Sequence, residues 1–273
     1  MKKILVLVSL VALFSACTEK IDINLDESSS KVVIEGSITN ELKEHKVRVT
    51  RSIGYLDEHH TPEIQGTRVY LSDGTEEIQL TEVSQGVFKT IPAMAGICGK
   101  TYTLRVVVDA EEYTAISTLR QVVPMDSIKV SKAPMPLDPN QIWLEGKTYY
   151  NLGPFMQEPA DQVNYYLFEA YKNGSIVNDT LTKKRFYDDI VVNGSYIHGM
   201  NVIQADAQPG DQVNLTLYSI NKDFYDFLVA LYQSSLTGSP FSGTPANVQT
   251  NFSNGACGFF WTGAMSEVQG SVK

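Results

Sequence analysis

The chain has 273 residues, 43% of them hydrophobic, and its 22 basic side chains face 31 acidic ones for a formal net charge of −9. That length allows one large domain or two of ordinary size. The acidic balance argues against nucleic acid as a partner and against electrostatic attachment to anionic lipid.

Lys2 and Lys3 precede an apolar run from Ile4 to Phe14 that only Ser9 interrupts, and Ser15, Ala16 and Cys17 follow. This is the layout of a secretory signal peptide over residues 1–16. As a helix the run reaches roughly 16 Å, about half of a hydrocarbon core, so it suits export and not spanning. Small residues directly before a cysteine, with a polar segment after it, resemble the lipobox of bacterial lipoproteins; Phe14 stands where an aliphatic residue is usual. The resemblance implies cleavage before Cys17, a diacylglyceryl thioether on its sulfur and an acylated amine. Two or more such chains hold a protein to a membrane, at about 0.8 kcal/mol per buried CH₂. Residues 17–30 then read as the lipidated cysteine and a polar, acidic, flexible tether.

Strand patterning starts at Lys31. Val32, Ile34 and Ile38 alternate with Val33, Glu35 and Ser37, and Lys46 to Ile53 carries Val47 and Val49. Arg68 to Leu71 runs into the turn signal Ser72-Asp73-Gly74, and Ile78 and Leu80 return. Val87 to Ile91 comes next, then Tyr102, Leu104, Val106 and Val108 on one face, then Tyr113, Ala115 and Leu119. Short strands at this spacing predict an antiparallel immunoglobulin-like or transthyretin-like β-sandwich over residues 31–123, with Pro124 at its boundary.

Residues 124–273 are expected to form a second β-rich domain with one helix. Ser131 to Asn140 is proline-rich loop. Tyr149 to Phe155 and Gln162 to Lys172 read as strands, and Asn173-Gly174 as a hairpin turn into Ser175 to Thr182. Arg185 to Val192 leads to a second Asn193-Gly194 turn, and Pro209-Gly210-Asp211 opens a strand with Val213, Leu215 and Leu217 on one face. The helix is predicted over 222–235, with Asn221 as N-cap and Phe224, Phe227, Leu228 and Leu231 as one apolar stripe. Gly238 to Thr250 is loop, and Cys257 to Met265 is a closing apolar strand.

Several of these stretches resemble one family in order and spacing. They are Val33-Ile34-Glu35-Gly36-Ser37-Ile38-Thr39, Val47-Arg48-Val49-Thr50-Arg51, Tyr70-Leu71-Ser72-Asp73-Gly74, Tyr102-Thr103-Leu104-Arg105-Val106 and Pro124-Met125-Asp126-Ser127-Ile128. Later come Pro209-Gly210-Asp211, the Phe224 to Leu231 helix, Pro240-Phe241-Ser242, Asn247 and the glycine-aromatic segment Gly255 to Phe260. Together, from about Val32 to Ala264, they resemble the domain of unknown function 4249 family of Bacteroidota lipoproteins. The resemblance implies no established activity. It implies an outer-membrane lipoprotein and, because members are encoded near TonB-dependent receptors, an accessory role beside such a receptor.

Chemistry is sparse. Asp57-Glu58-His59-His60 is the one cluster of metal-ligand types, and consecutive extended residues point to opposite sides, so it reads as a solvated loop. Asp188-Asp189 lacks the spacing of a calcium loop. No Gly-x-Ser-x-Gly is present, and no pair of carboxylates is singled out. Neither catalytic residues, nor a metal, nor a cofactor are assigned. Cys98 and Cys257 both sit between glycines and either pair in an exported protein or stay as thiols. Asp126-Ser127-Ile128 and Asp179-Thr180-Leu181 resemble the Asp-Ser/Thr-aliphatic acceptor of Bacteroidota O-glycosylation, making Ser127 and Thr180 candidate sites. Neighbouring aromatics place one ring on each face of a strand, leaving Tyr150, Tyr166 and Trp261 either as an exposed surface for a glycan or peptide or as core. The expected function is a lipid-anchored, non-catalytic partner of a TonB-dependent receptor; the alternative is a carbohydrate-binding or adhesive surface module.

Overall fold

The computed structural model describes residues 30–52, 64, 66–137, 143–235 and 248–273. The signal peptide, Cys17, the tether up to residue 29 and the Asp57 to His60 cluster lie outside the described residues.

Period-two alternation builds the first domain. In β1 (Val32–Thr39) the side chains of Val32, Ile34 and Ile38 turn inward, and β2 (Lys46–Arg51) buries Val47 and Val49. β3 (Arg68–Ser72) and β4 (Glu77–Gln79) are joined by the expected turn, in which Asp73 Oδ1 accepts from the amides of Thr75 at 2.9 Å and Glu76 at 3.0 Å. β5 (Thr81–Ser84) and β6 (Val87–Lys89) follow. β7 (Thr101–Val108) places Tyr102, Leu104, Val106 and Val108 inside, none more than 1% exposed, and β8 (Glu111–Thr118) adds Tyr113 and Ala115. One sheet runs β5-β6-β2-β1 and the other β4-β3-β7-β8, so the mostly β sandwich expected for this half is present.

The second domain repeats the two-layer plan with β9 (Ser127–Lys132), β10 (Tyr149–Gln157), β11 (Tyr165–Lys172), β12 (Ser175–Ile176), β13 (Arg185–Asp188), β14 (Tyr196–His198), β15 (Ile203–Asp206) and β16 (Gln212–Ile220). β10 centres one sheet, with β9 on one edge and β14 and β15 sharing the other. β11 centres the second, flanked by β16 and by β12 and β13. Asn173 and Gly174 have φ of 48° and 82°, the two left-handed positions of the hairpin turn the sequence announces. Three local readings are corrected. The strand expected over Ser175 to Thr182 ends at Ile176, and Leu181–Lys183 is a 3₁₀ turn. Asn193-Gly194 is no hairpin, because it carries the chain from β13 in one sheet to β14 in the other. Ser131 and Lys132, read as loop, close strand β9.

The one helix among the described residues, α1 (Lys222–Ser235), has the predicted bounds. Phe224 and Leu228 of its stripe are buried, and Phe227 and Leu231 half-buried. Its cap differs from expectation. Asn221 Nδ2 donates to Ser117 Oγ and to the Thr118 carbonyl, both at 3.0 Å, so this side chain ties the helix start to the first domain.

The largest correction concerns the domain boundary. β17 (Cys257–Gly263) pairs in parallel with β1, from Val33 opposite Cys257 to Thr39 opposite Gly263. Phe252, Ala256, Phe260 and Ala264 thereby belong to the first core. One residue later β18 (Met265–Ser271) pairs with β16 in the second domain. The first domain is therefore 30–123 with 248–264, and the second is built from 124–235 with 265–273. Domains read as consecutive are interleaved, because strand pairing is satisfied by whichever edge is open and takes no account of chain distance.

The same strand decides the cysteines. Cys257 lies beside Val33, whereas the loop bearing Cys98 is held at the other end of β1 by the Gly96 amide on the Thr39 carbonyl at 2.8 Å. Six residues of β-strand separate those ends by roughly 20 Å, far beyond disulfide reach. Both are free thiols, and the paired alternative is corrected. Denatured mature protein is expected to alkylate at both positions without reductant; a mass that changes only after reduction would contradict this.

Candidate functional site

The two domains meet along a buried polar seam beside β17. On the first-domain side Ser117 Oγ of β8 lies 3.0 Å from Thr262 Oγ1 and accepts the Thr262 amide at 3.1 Å. Across the seam Ser219 donates its amide to the Ala264 carbonyl at 3.0 Å and Met265 to Asn40 Oδ1 at 2.8 Å, and on the second-domain side Met125 donates to Ser266 Oγ at 2.9 Å. Ser117, Thr262 and Ser219 are buried, so the Ser117–Thr262 and Ser219–Ala264 bonds satisfy groups that water does not reach.

Beside the seam opens a cleft of about 290 Å³. Cys98, Thr118, Arg120 and Gln121 line it from the first domain, and Gln162, Asn164 and Ser219 from the second. Arg120 is the one charged residue of that lining, set among the carboxamides of Gln121, Gln162 and Asn164. A guanidinium among carboxamides offers hydrogen bonds to a bound group. The Cys98 thiol and the hydroxyls of Thr118 and Ser219 share that lining.

Asn164 also faces away from the cleft. Its Nδ2 donates to Glu158 Oε1 at 3.0 Å and to Asp189 Oδ2 at 3.1 Å, while Tyr166 Oη donates to both Glu158 oxygens at 2.7 and 2.9 Å. Glu158 follows β10, Asp189 follows β13, and Asn164 precedes β11, so the cluster joins the ends of both sheets. Burial, and then the neighbouring Asp189, push the Glu158 carboxyl up to about 7, against the pull of its donors Tyr166 and Asn164. Burial and Glu158 raise the Tyr166 hydroxyl well above its ordinary range. Glu158 and Asp189 are 1% and 0% exposed, which closes the pair to a sugar or any other substrate. Sequence reasoning passed over Glu158, Asn164 and Tyr166 as a group and saw Asp189 only beside Asp188. The chain sends those two aspartates opposite ways, Asp188 toward the Tyr225 hydroxyl at 3.4 Å and Asp189 inward.

The aromatic candidates are corrected. Tyr150 and Tyr166 are 7% and 4% exposed in the second core. Trp261 is half-buried, stacked on Phe224 with centroids 5.0 Å apart and planes 7° apart, and edge-on to Tyr218 at 5.6 Å. Facing sheets cover the inner sides of these strands and α1 covers Trp261, so alternation leaves no aromatic platform of these three residues. Ser127 and Thr180 are exposed. His45 is buried with Nε2 3.0 Å from the Met94 carbonyl, and His198 packs against Tyr196. Among the described residues no three His, Cys, Asp or Glu gather as a metal site, and no helix is long and apolar enough to cross a membrane.

Fold and site together define a two-domain β-sandwich protein, interleaved through one terminal strand pair, with a polar cleft between the domains. The chain belongs to the family described as Domain of unknown function (DUF4249), whose model matches residues 18–269. No curated protein matches it. Solved structures similar to it include the FN1-FN3 domains of chicken CNTN1, at 12% identity and TM-score 0.24, covering 68% of this chain and 57% of that one. A two-domain fibronectin type-III segment of chicken tenascin is similar at 14% identity and TM-score 0.20, covering 70% and 90%. The α-L-rhamnosidase from Aspergillus terreus is similar at 11% identity and TM-score 0.24, covering 71% and 27%.

Proposed function

We propose that this chain is a lipid-anchored protein of the outer membrane that works by binding, without turnover, as an accessory partner of a TonB-dependent receptor. The observation that carries the anchor is the run from Lys2 to Cys17, a short apolar segment ending in Ser15-Ala16-Cys17. The family match beginning at residue 18, directly after that cysteine, is consistent with it. The receptor partnership rests on the resemblance to the family. The binding role is supported by the composition of the interdomain cleft and by the burial of the Glu158–Asp189 pair. The alternative, a carbohydrate-binding or adhesive module, drew on an exposed aromatic surface, and the burial of Tyr150 and Tyr166 removes its main argument.

The test is direct. Cells fed an alkyne-tagged fatty acid are expected to label the wild-type chain, and Cys17→Ala to abolish the label and release the protein from the membrane fraction. Pull-down of the wild type from gently solubilised membranes is expected to recover a TonB-dependent receptor. An unlabelled wild type sinks the anchor, and recovery of no receptor at native expression sinks the partnership.

A further inference from the structure

Two carboxyl groups, with no cation among their hydrogen-bond partners, close one end of the second core. The donors aimed at their four oxygens are one amide nitrogen, of Asn164, and one hydroxyl, of Tyr166. Asp189 Oδ1 is buried without a partner, and Asn164 Nδ2 bridges Asp189 Oδ2 and Glu158 Oε1, which brings the two carboxyl groups side by side. Two full negative charges here would repel each other where water cannot screen them. A single proton answers both problems, since a neutral Glu158 donates its O–H to the Asp189 carboxylate and fills the vacant acceptor.

We propose that Glu158 and Asp189 form a proton-held clasp that fastens the 158–164 loop to the 189–195 loop, and that release of the proton to water loosens the wall of the interdomain cleft made by Asn164. Both loops carry apolar residues in solvent: Val163 on one, 42% exposed, and Ile190 and Val191 on the other, 67% and 93% exposed. Opening the clasp therefore changes how these apolar side chains are presented to a partner.

Neighbouring charges do not take over the role. Asp188 turns to Tyr225 of α1, and Asp161 is exposed on its loop. On β14, Tyr196 donates to Asp126 and His198 packs on Tyr196 at the surface. Tyr187 of β13 bonds the Val202 carbonyl, and Arg120 lies on the first-domain side of the cleft.

The sign follows from Glu158 standing above its ordinary value, near 7. The folded chain then holds a proton that the unfolded chain has released, so the stability it contributes is complete in acid and is lost as pH rises through about 7. The experiment compares the mature chain in detergent with Glu158→Gln, which keeps a donor and removes the charge. From about pH 6 to about pH 8 the wild-type Tm is expected to fall by roughly 5 °C more than that of the variant. At about pH 8, amides 189–195 are expected to exchange hydrogen at least about tenfold faster in the wild type than in the variant. Parallel melting profiles or equal exchange overturn the clasp. Should Glu158→Gln fail to fold, a carbon-13 NMR titration of the wild-type Glu158 carboxyl decides: a midpoint between about 6 and about 8 supports the clasp, and one below about 5.5 overturns it.

Discussion

A chain cut after residue 247 is expected to fold in neither half. The cut removes Phe252, Ala256, Phe260 and Ala264 from the first core, and Val272 with half-buried Val268 from the second. At about 1.5 to 3 kcal/mol for each large buried side chain, the loss is roughly 3 to 6 kcal/mol from the first core and about 2 to 4 kcal/mol from the second, a large fraction of a domain's whole stability. It also bares the edges of β1 and β16, which β17 and β18 otherwise cover from Val33 to Thr39 and from Gln212 to Tyr218. Open edges of that length favour aggregation. Circular dichroism is expected to show no cooperative melt for the truncated chain, and proteolysis no resistant core. Two consecutive domains predict the opposite, a protected fragment near residues 31–123, and its recovery would refute the interleaved architecture.

Gly258→Ala is expected to lower stability by about 3 kcal/mol or more, a fall in Tm of roughly 6 to 12 °C for a protein of this size. Gly258 has φ of +93°, and a Cβ there stands 2.1 Å from the Ile34 carbonyl oxygen and 2.8 Å from its carbon. Both obstacles are backbone, so no side-chain rotation relieves them. β17 must leave β1 at that point, and the strand that closes the first core shifts with it. Gly174→Ala is the matched control. Its φ is +82°, but nothing lies within 4 Å of the added carbon, so only the left-handed penalty of about 1 to 2 kcal/mol remains. Thermal melts of the two variants separate the clash from the conformational cost, and equal losses would show that the β1–β17 approach is not as close as described.

Where a residue's environment is set by its near neighbours, the sequence was a reliable guide. The alternation through Tyr102, Leu104, Val106 and Val108 told which face is buried, because successive strand residues point to opposite sides whatever lies beyond them. The turns at Asp73-Gly74 and Asn173-Gly174 were legible for the same reason, since their chemistry is contained within four residues. Asn193-Gly194 has the same letters and a different task, because the strands on its two sides pair in different sheets. The aromatics misled through a related gap: alternation says that Tyr150 and Tyr166 face one way, and only the layer packed over that face says whether they meet solvent. Asn221 marked the helix start, while its side chain went to Ser117 and the Thr118 carbonyl, more than a hundred positions earlier.

From the amino-acid order alone come the β-rich class, the strand faces and the bounds of α1, all carried by short-range periodicity and turn chemistry. Tertiary structure alone decided that β17 returns to β1, that Cys98 and Cys257 stand at opposite ends of that strand, and that Glu158, Asn164, Tyr166 and Asp189 share one buried pocket. An open strand edge or an uncompensated buried acid is completed by whatever the fold brings beside it. That partner is chosen by proximity in space, and no local pattern along the chain records it.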